Sequence, residues 1–263
     1  MYNFVEGLYM KKYQNIKYLF FDLDDTLLRK DRTISEYTIS VLKKAQEKGF
    51  KIIFNTSRSI QNSQKYIDII HPDYGIYSGG CHIVDKNQNN LFVNMLDKKE
   101  VKEITKYLID KCDKISVQTL DHFYASDKEY KAQNAIHFDF KDGLEEPAFK
   151  IIACSNDLNF IKEVANKYNL ELQNYLNGSW NRLSKKGATK WNGVLKFLEI
   201  VKGNINETSC FGDDTGDEEM ILNSSLGVAM KNSQPNLLSK AKTITTYTND
   251  DDGVAHFVEE NLL

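Results

Sequence analysis

The chain is expected to fold as an α/β protein, a parallel sheet between helical layers, interrupted by a smaller α+β unit. Three observations predict this. Apolar runs that read as buried on both faces alternate with helical patterns at both ends of the chain, the order that parallel strands and their crossovers require. The middle, residues 82–187, shows strands in succession between two helices, which suits an antiparallel sheet. With 263 residues, 41% of them hydrophobic and 27% charged, the chain suits one large domain or two modest ones and has ample core material.

The first strand is "KYLFFDL" (17–23), followed by the helix "SEYTISVLKKAQEKG" with Ser35 as its N-cap and Gly49 as its C-cap. Next come the strand "FKIIFNTS" (50–57), a helix near "SIQNSQKYIDII" and the strand "YGIYSGG" (74–80). Within 82–187, "CHIVD", "LFVNML", "KISVQTLD", "HFYASD", "AFKIIACS", "LELQNYL" and "SWNRLS" read as strands, and 97–111 and 157–169 as helices. Thereafter "TKWNGVLKFLEIV" is helical, "TSCFGDD" (208–214) ends a strand and "DEEMILNSS" begins a helix. "SLGVAM", "AKTITT" and a last helix, "GVAHFVEENLL", complete the alternation. The core is therefore expected from 1–81 and 188–263, with 82–187 inserted.

Composition excludes several functions. A net charge of −3 with lysines interleaved among acids, as in "DKKEVKEITK", leaves no basic stripe for nucleic acid. No apolar stretch approaches the ~20 residues needed to span a bilayer. The four cysteines, Cys81, Cys112, Cys154 and Cys210, lie far apart with no zinc-site spacing, and read as small buried hydrophobes of a reducing, cytoplasmic protein. The amino terminus carries Glu6 and no sustained apolar core, so it does not read as a secretory signal; Met10 is a second possible start, with 1–9 as an extension. The five histidines show no metal spacing, His122 and His137 within 82–187 stand as candidate substrate contacts, and Trp180 and Trp191 read as partial-core residues.

Chemistry gathers at strand ends. The first strand ends in Asp22-Leu-Asp24-Asp25-Thr26, the second in Thr56-Ser57-Arg58, the third in Ser78-Gly79-Gly80, and a late one in "GDDTGD" (212–217). Ligands of parallel α/β sheets collect at these carboxyl ends. Adjacent carboxylates demand a cation, and a site of few oxygen ligands suits magnesium. Each acidic cluster alone could be a solvated turn or a helix N-terminus. A calcium loop fails: counted from Asp22, position six is Leu27 and not Gly, and position twelve is Thr33 and not Glu.

The chain resembles the haloacid dehalogenase (HAD) superfamily, specifically the Cof-type phosphatases of subfamily IIB. Four ordered motifs carry the likeness from about Lys17 onward: "DLDDT", "NTSR", "GATKWNGVL" and "GDDTGDEEM", with "DDGVAHFV" as a closing segment. The resemblance implies a Rossmann-like core with a mobile α+β cap at 82–187, and Mg²⁺-dependent hydrolysis of phosphomonoesters of small metabolites, such as sugar phosphates or cofactor phosphates like FMN or pyridoxal phosphate. It implies Asp22 as nucleophile, forming an aspartyl phosphate, and Asp24 as the acid and base. Phosphate contacts fall to Leu23, Thr56, Ser57 and Lys190. Mg²⁺ falls to Asp22, the Asp24 carbonyl and Asp213, with Asp217 holding the metal's waters or Lys190. Thr26 is expected to order its turn, Asp25 to point away, and Arg58 to make a structural ion pair. Lys190, not Lys185 or Lys186, aligns with the third motif.

Two residues depart from the family pattern. Gly216 stands where Asn is usual, and Ser57 replaces the usual Gly. Asp24 speaks against ATPase or dehalogenase chemistry, which needs no acid there. A phosphomutase and a low-turnover metabolite-sensing or partner-binding protein stay open as alternatives, the latter supported by Gly216 and Ser57. Oligomeric state is not legible.

Overall fold

Tyr18 to Phe21 is apolar at every position because both faces of this strand are covered, and the elements around it explain how. A computed structural model describes residues 13–130, 134–175 and 179–263. Met10 and the extension 1–9 lie outside the described residues. In chain order the elements are β1 (Tyr18–Phe21), α1 (Glu36–Glu47), β2 (Lys51–Asn55), α2 (Ile60–Ile70), β3 (Tyr74–Tyr77), β4 (His82–Asp85) and β5 (Asn90–Val93). Then come α3 (Lys98–Ile109), β6 (Lys114–Gln118), β7 (Phe123–Ala125), β8 (Ile136–His137), β9 (Lys150–Cys154), α4 (Leu158–Lys167), β10 (Leu170–Tyr175) and β11 (Trp180–Lys185). The chain ends with α5 (Lys190–Val201), β12 (Thr208–Gly212), α6 (Glu218–Asn223), β13 (Leu226–Ala229), α7 (Pro235–Leu238) and α8 (Gly253–Asn261).

The first sheet has the order β13-β12-β1-β2-β3-β4-β5. Its strands from β13 to β3 are parallel, and β4 runs antiparallel to β3. Leu19 and Phe21 join a cluster with Val41, Leu42, Val254 and Val258 of α1 and α8. Tyr18 and Phe20 meet Phe197 of α5 edge-on, each at 5.5 Å. Alternate side chains of one strand thus feed two helical layers, which is why the sequence shows no polar alternation. In register, Phe21 pairs with Phe54 on one side and Phe211 on the other. The ends of β1, β2 and β12 are therefore level, and Asp22, Thr56 and Asp213 emerge along one edge.

Local signals hold with small shifts. Ser35 caps α1 by accepting the Thr38 amide, and Ser59 caps α2. Lys48 is the last half-helical residue of α1, so Gly49 follows the cap and takes φ +98°. "AKTITT" makes a single bridge, Ala229 to Ile244. There the Thr245 hydroxyl takes the Lys231 amide and donates to the Tyr247 carbonyl, so side-chain bonds replace a ladder.

The chain divides into two compact units, Met1–Leu91 with Lys190–Leu263, and Phe92–Thr189. These bounds differ from the expected 82 and 187, because β4 pairs with β3 in the core sheet through Tyr77–His82 to Tyr74–Asp85. The second unit holds a sheet ordered β10-β11-β9-β6-β7-β8, antiparallel except for the short β7–β8 pair. Its own core joins Val101, Ile104 and Leu108 of α3 and Ile161 and Val164 of α4 to Ile115, Val117, Ile151 and Leu183 of the strands. Trp180 is exposed at the start of β11, contrary to the partial-core expectation, because its strand position turns it to the face opposite Leu183. The four cysteines are free, Cys81 and Cys210 being buried. Among the described residues no helix is long and apolar enough to cross a membrane.

Candidate active site

Asp22 is the first residue past β1. Its amide extends the ladder by donating to the Phe211 carbonyl at 3.0 Å, and its side chain is buried. The chain then closes one tight turn, with the Leu28 amide donating to the Leu23 carbonyl at 2.8 Å. Asp25 takes the left-handed conformation at φ 56°, and Asn232 donates to its carbonyl at 2.7 Å. Thr26, expected to order this turn, has a longer reach. Its hydroxyl donates to Asp213 Oδ1 at 2.8 Å and so fixes a carboxylate on a distant strand.

Asp213 follows β12 directly. Both oxygens of Asp217 are taken by the protein: Oδ2 accepts the amides of Asp213 (3.0 Å) and Asp214 (3.2 Å), and Oδ1 accepts Lys190 Nζ at 2.6 Å. Gly212 makes this possible, since a Cβ there would stand 2.4 Å from Cβ and Cγ of Asp217. Gly212→Ala should therefore displace Asp217 and cost about 1–3 kcal/mol, read by urea denaturation.

Lys190 opens α5 and reaches back to Asp22 Oδ1 at 2.7 Å. The helix comes close because residue 193 is glycine; a Cβ there would lie 2.9 Å from the Gly80 Cα. Asn55 anchors the same turn, donating to the Lys190 carbonyl at 3.2 Å. Lys185 and Lys186, the near neighbours in sequence, are occupied elsewhere, by Glu100 at 2.9 Å and Glu171 at 3.3 Å. Oxygens of Asp22, Asp213 and Asp217 lie within 4.8 Å of one another.

Two of the three carboxylates, Asp22 and Asp217, thus share one buried ammonium. Burial, reinforced by the other two acids, pushes Asp22 well above the ordinary carboxylate range. Asp213 is raised to about 7 by burial first and by Asp217 second. Asp217 is raised by burial, against the pull of Lys190. Burial alone would lower Lys190, but Asp217 and Asp22 outweigh it and hold the ammonium charged. Fully ionised, the three acids would carry more negative charge than one lysine neutralises, the condition under which a divalent cation binds.

Around this cluster lie the other predicted residues. Thr56 is buried beyond β2; its Oγ1 accepts the Arg58 amide at 3.2 Å, which leaves the hydroxyl proton to donate. Leu23 is fully buried and Ser57 is half-buried beside them. Asp24 does not join the carboxylate cluster. Arg58 grips it with Nε and Nη2, each at 2.7 Å, and Arg32 contacts Oδ1. The turn sends Asp22 to Lys190 and Asp24 to the arginines. Gly216 donates its main-chain amide to the Asp214 side chain, Oδ1, at 2.7 Å, a bond that needs no side chain at position 216. Arg32 and the Thr26–Asp213 bond escape sequence reading, because no local pattern marks a partner across the fold.

The model of the haloacid dehalogenase-like hydrolases matches residues 19–258. A protein of Haemophilus influenzae with a provisional phosphatase name is 28% identical over 260 residues, covering 94% of this chain and 98% of its own. A Bacillus subtilis 5-amino-6-(5-phospho-D-ribitylamino)uracil phosphatase is 23% identical, covering 91% of this chain and 95% of its own. Among solved structures, a haloacid dehalogenase-like hydrolase from B. subtilis aligns with a TM-score of 0.79 at 21% identity, over 94% of this chain and all of that one. A HAD subclass IIB sugar phosphatase aligns equally well, at 0.79 and 21%, over 93% and 98%. With the family's sequence pattern running from β1 into α8, the chain belongs to the haloacid dehalogenase-like hydrolases.

Proposed function

We propose that the protein is a Mg²⁺-dependent phosphatase of small phosphorylated metabolites that works through an aspartyl phosphate on Asp22. The observation that carries this reading is the buried Asp22 held at 2.7 Å by Lys190 beside two further acids. Such a carboxylate is presented for attack, not for solvation. Its Oδ1 is oriented by the ammonium, and in-line attack on phosphorus would form the Asp22–phosphorus bond as the ester bond breaks. Thr56, through its hydroxyl, and Ser57 and Leu23 would contact the transferring oxygens. Lys190 would neutralise charge that grows on them in the transition state. Asp24, once one oxygen is released from the arginines to carry a proton, would protonate the departing alkoxide and then take a proton from the attacking water, which regenerates Asp22.

The donor set fits Mg²⁺. It offers only hard oxygens in surplus negative charge. Asp22, Asp213 and the Asp24 carbonyl would hold the ion, while Asp217, whose oxygens already serve Lys190 and two amides, would position that lysine. When bound, the ion screens the negative charges of carboxylate and phosphate from each other. The second unit is proposed to act as the cap that selects the leaving group. Sugar and cofactor phosphates are the substrates in view; the names of the ribitylaminouracil phosphatase and the sugar phosphatase support that class.

A phosphate-release assay over a metabolite panel tests the reading. Turnover should appear with Mg²⁺, vanish in EDTA and return when the ion is restored; release untouched by EDTA would refute it. Stability should follow the same logic. Because Asp213 titrates near 7 when folded, above its usual range, the metal-free protein loses this group's contribution as pH rises from about 4 to about 7. Protons compete with the ion below that point. Added Mg²⁺ should consequently raise the Tm more at pH 8 than at pH 5.5, by differential scanning calorimetry.

A further inference from the structure

The basic residues around the first turn are not evenly matched. Arg29 Nη2 reaches both carboxylate oxygens of Asp252, at 3.0 and 2.8 Å, and Lys30 pairs with Asp250 at 3.2 Å. Asp31 is turned to its own loop, accepting the amide and hydroxyl of Thr33 at 3.0 and 2.6 Å. Arg58 and Arg32, however, share a single carboxylate, that of Asp24. Arg58 is held in place: it also donates to the Asn62 carbonyl at 3.2 Å and lies 5.3 Å from the centre of the Tyr66 ring. The same tyrosine donates to the Arg32 carbonyl at 3.3 Å, so one residue touches the Arg58 side chain and the Arg32 main chain. The Arg32 side chain remains half exposed, at 50%.

Two guanidinium charges in contact with one carboxylate leave one positive charge in excess at that spot. Its place matters, because Asp24 is the group proposed to protonate the departing oxygen. Whatever leaves therefore leaves beside the guanidinium pair. A planar fork recognises a carboxylate or a phosphate and gains little from a neutral hydroxyl. An ammonium on the leaving group would be repelled. We propose that Arg32, with Arg58, selects phosphomonoesters whose leaving group carries a second anionic group, a carboxylate or another phosphate.

This inference rests on the phosphatase reading only for the role of Asp24, and the test separates the two. Three esters of equal length serve as probes: 2-phosphoglycolate, ethylene glycol monophosphate and phosphoethanolamine, ending in carboxylate, hydroxyl and ammonium. At fixed free Mg²⁺, kcat/KM should fall in that order, with about tenfold between the first and last, and the difference should lie mainly in KM. Arg32→Gln should compress the span to about threefold, and Arg32→Lys, which keeps the charge without the fork, should fall between that and the parent. Calorimetry with Asp22→Asn protein should give the same order in Kd. A flat or inverted order in the unmodified protein overturns the proposal, as does an order that survives both Arg32→Gln and Arg58→Gln. No turnover with ordered binding would remove the phosphatase reading and keep the anion site. Turnover without preference would do the reverse, and binding of none of the three also overturns the proposal.

Discussion

Asp22→Asn is expected to lower kcat by about 10⁴-fold or more, because an amide cannot attack phosphorus and nothing else in the cluster is placed to replace it. The fold should be untouched. The amide oxygen can still accept Lys190 Nζ, now at 2.7 Å from Asp22 Oδ1. One of three crowded, buried acids is also removed, and burial already holds Asp22 far above the carboxylate range. The metal-free variant should thus melt no lower than the parent, so that activity and stability part company. A single-turnover phosphate-release assay alongside thermal melting reads both. Turnover within tenfold of the parent would end the nucleophile assignment.

Lys190→Met should damage both properties. The lysine is almost wholly buried and is shared by Asp22 and Asp217 at 2.7 and 2.6 Å. A methionine fills much the same volume but leaves the acids without their ammonium. Removing one partner of a buried charge cluster costs about 3–5 kcal/mol, and part of that should return when Mg²⁺ supplies the missing positive charge. Turnover should fall by about 10²–10³-fold, the usual cost of losing a group that neutralises charge in the transition state. Urea denaturation with and without Mg²⁺ checks the first figure. A loss below 1 kcal/mol in the metal-free protein would show that the acids are protonated and need no lysine.

The chain spells out what depends on neighbours in sequence. Continuous burial without polar alternation marks β1, β2 and β12, and Ser35 and Ser59 mark where helices begin. Carboxylates and hydroxyls directly after such strands are legible as site candidates, because parallel strands must end on the same edge as their neighbours. The choice of Lys190 over Lys185 and Lys186 is legible from the start of its helix; the structure shows what the other two hold instead, Glu100 and Glu171. The run "AKTITT" misleads, since its β-branched residues satisfy a strand pattern while Thr245 spends its hydroxyl on the backbone.

Residue order by itself determines the α/β alternation, the family and the kinds of atoms at each strand end. Only the tertiary structure decides which of those atoms face each other. Thr26 meets Asp213 across 187 positions, and Asp24 turns from its neighbour Asp22 to Arg58 and Arg32. The reason is physical: hydrogen-bond and ion-pair energies depend on separations of a few ångström, which strand register and one tight left-handed turn at Asp25 set, and no local spacing encodes them.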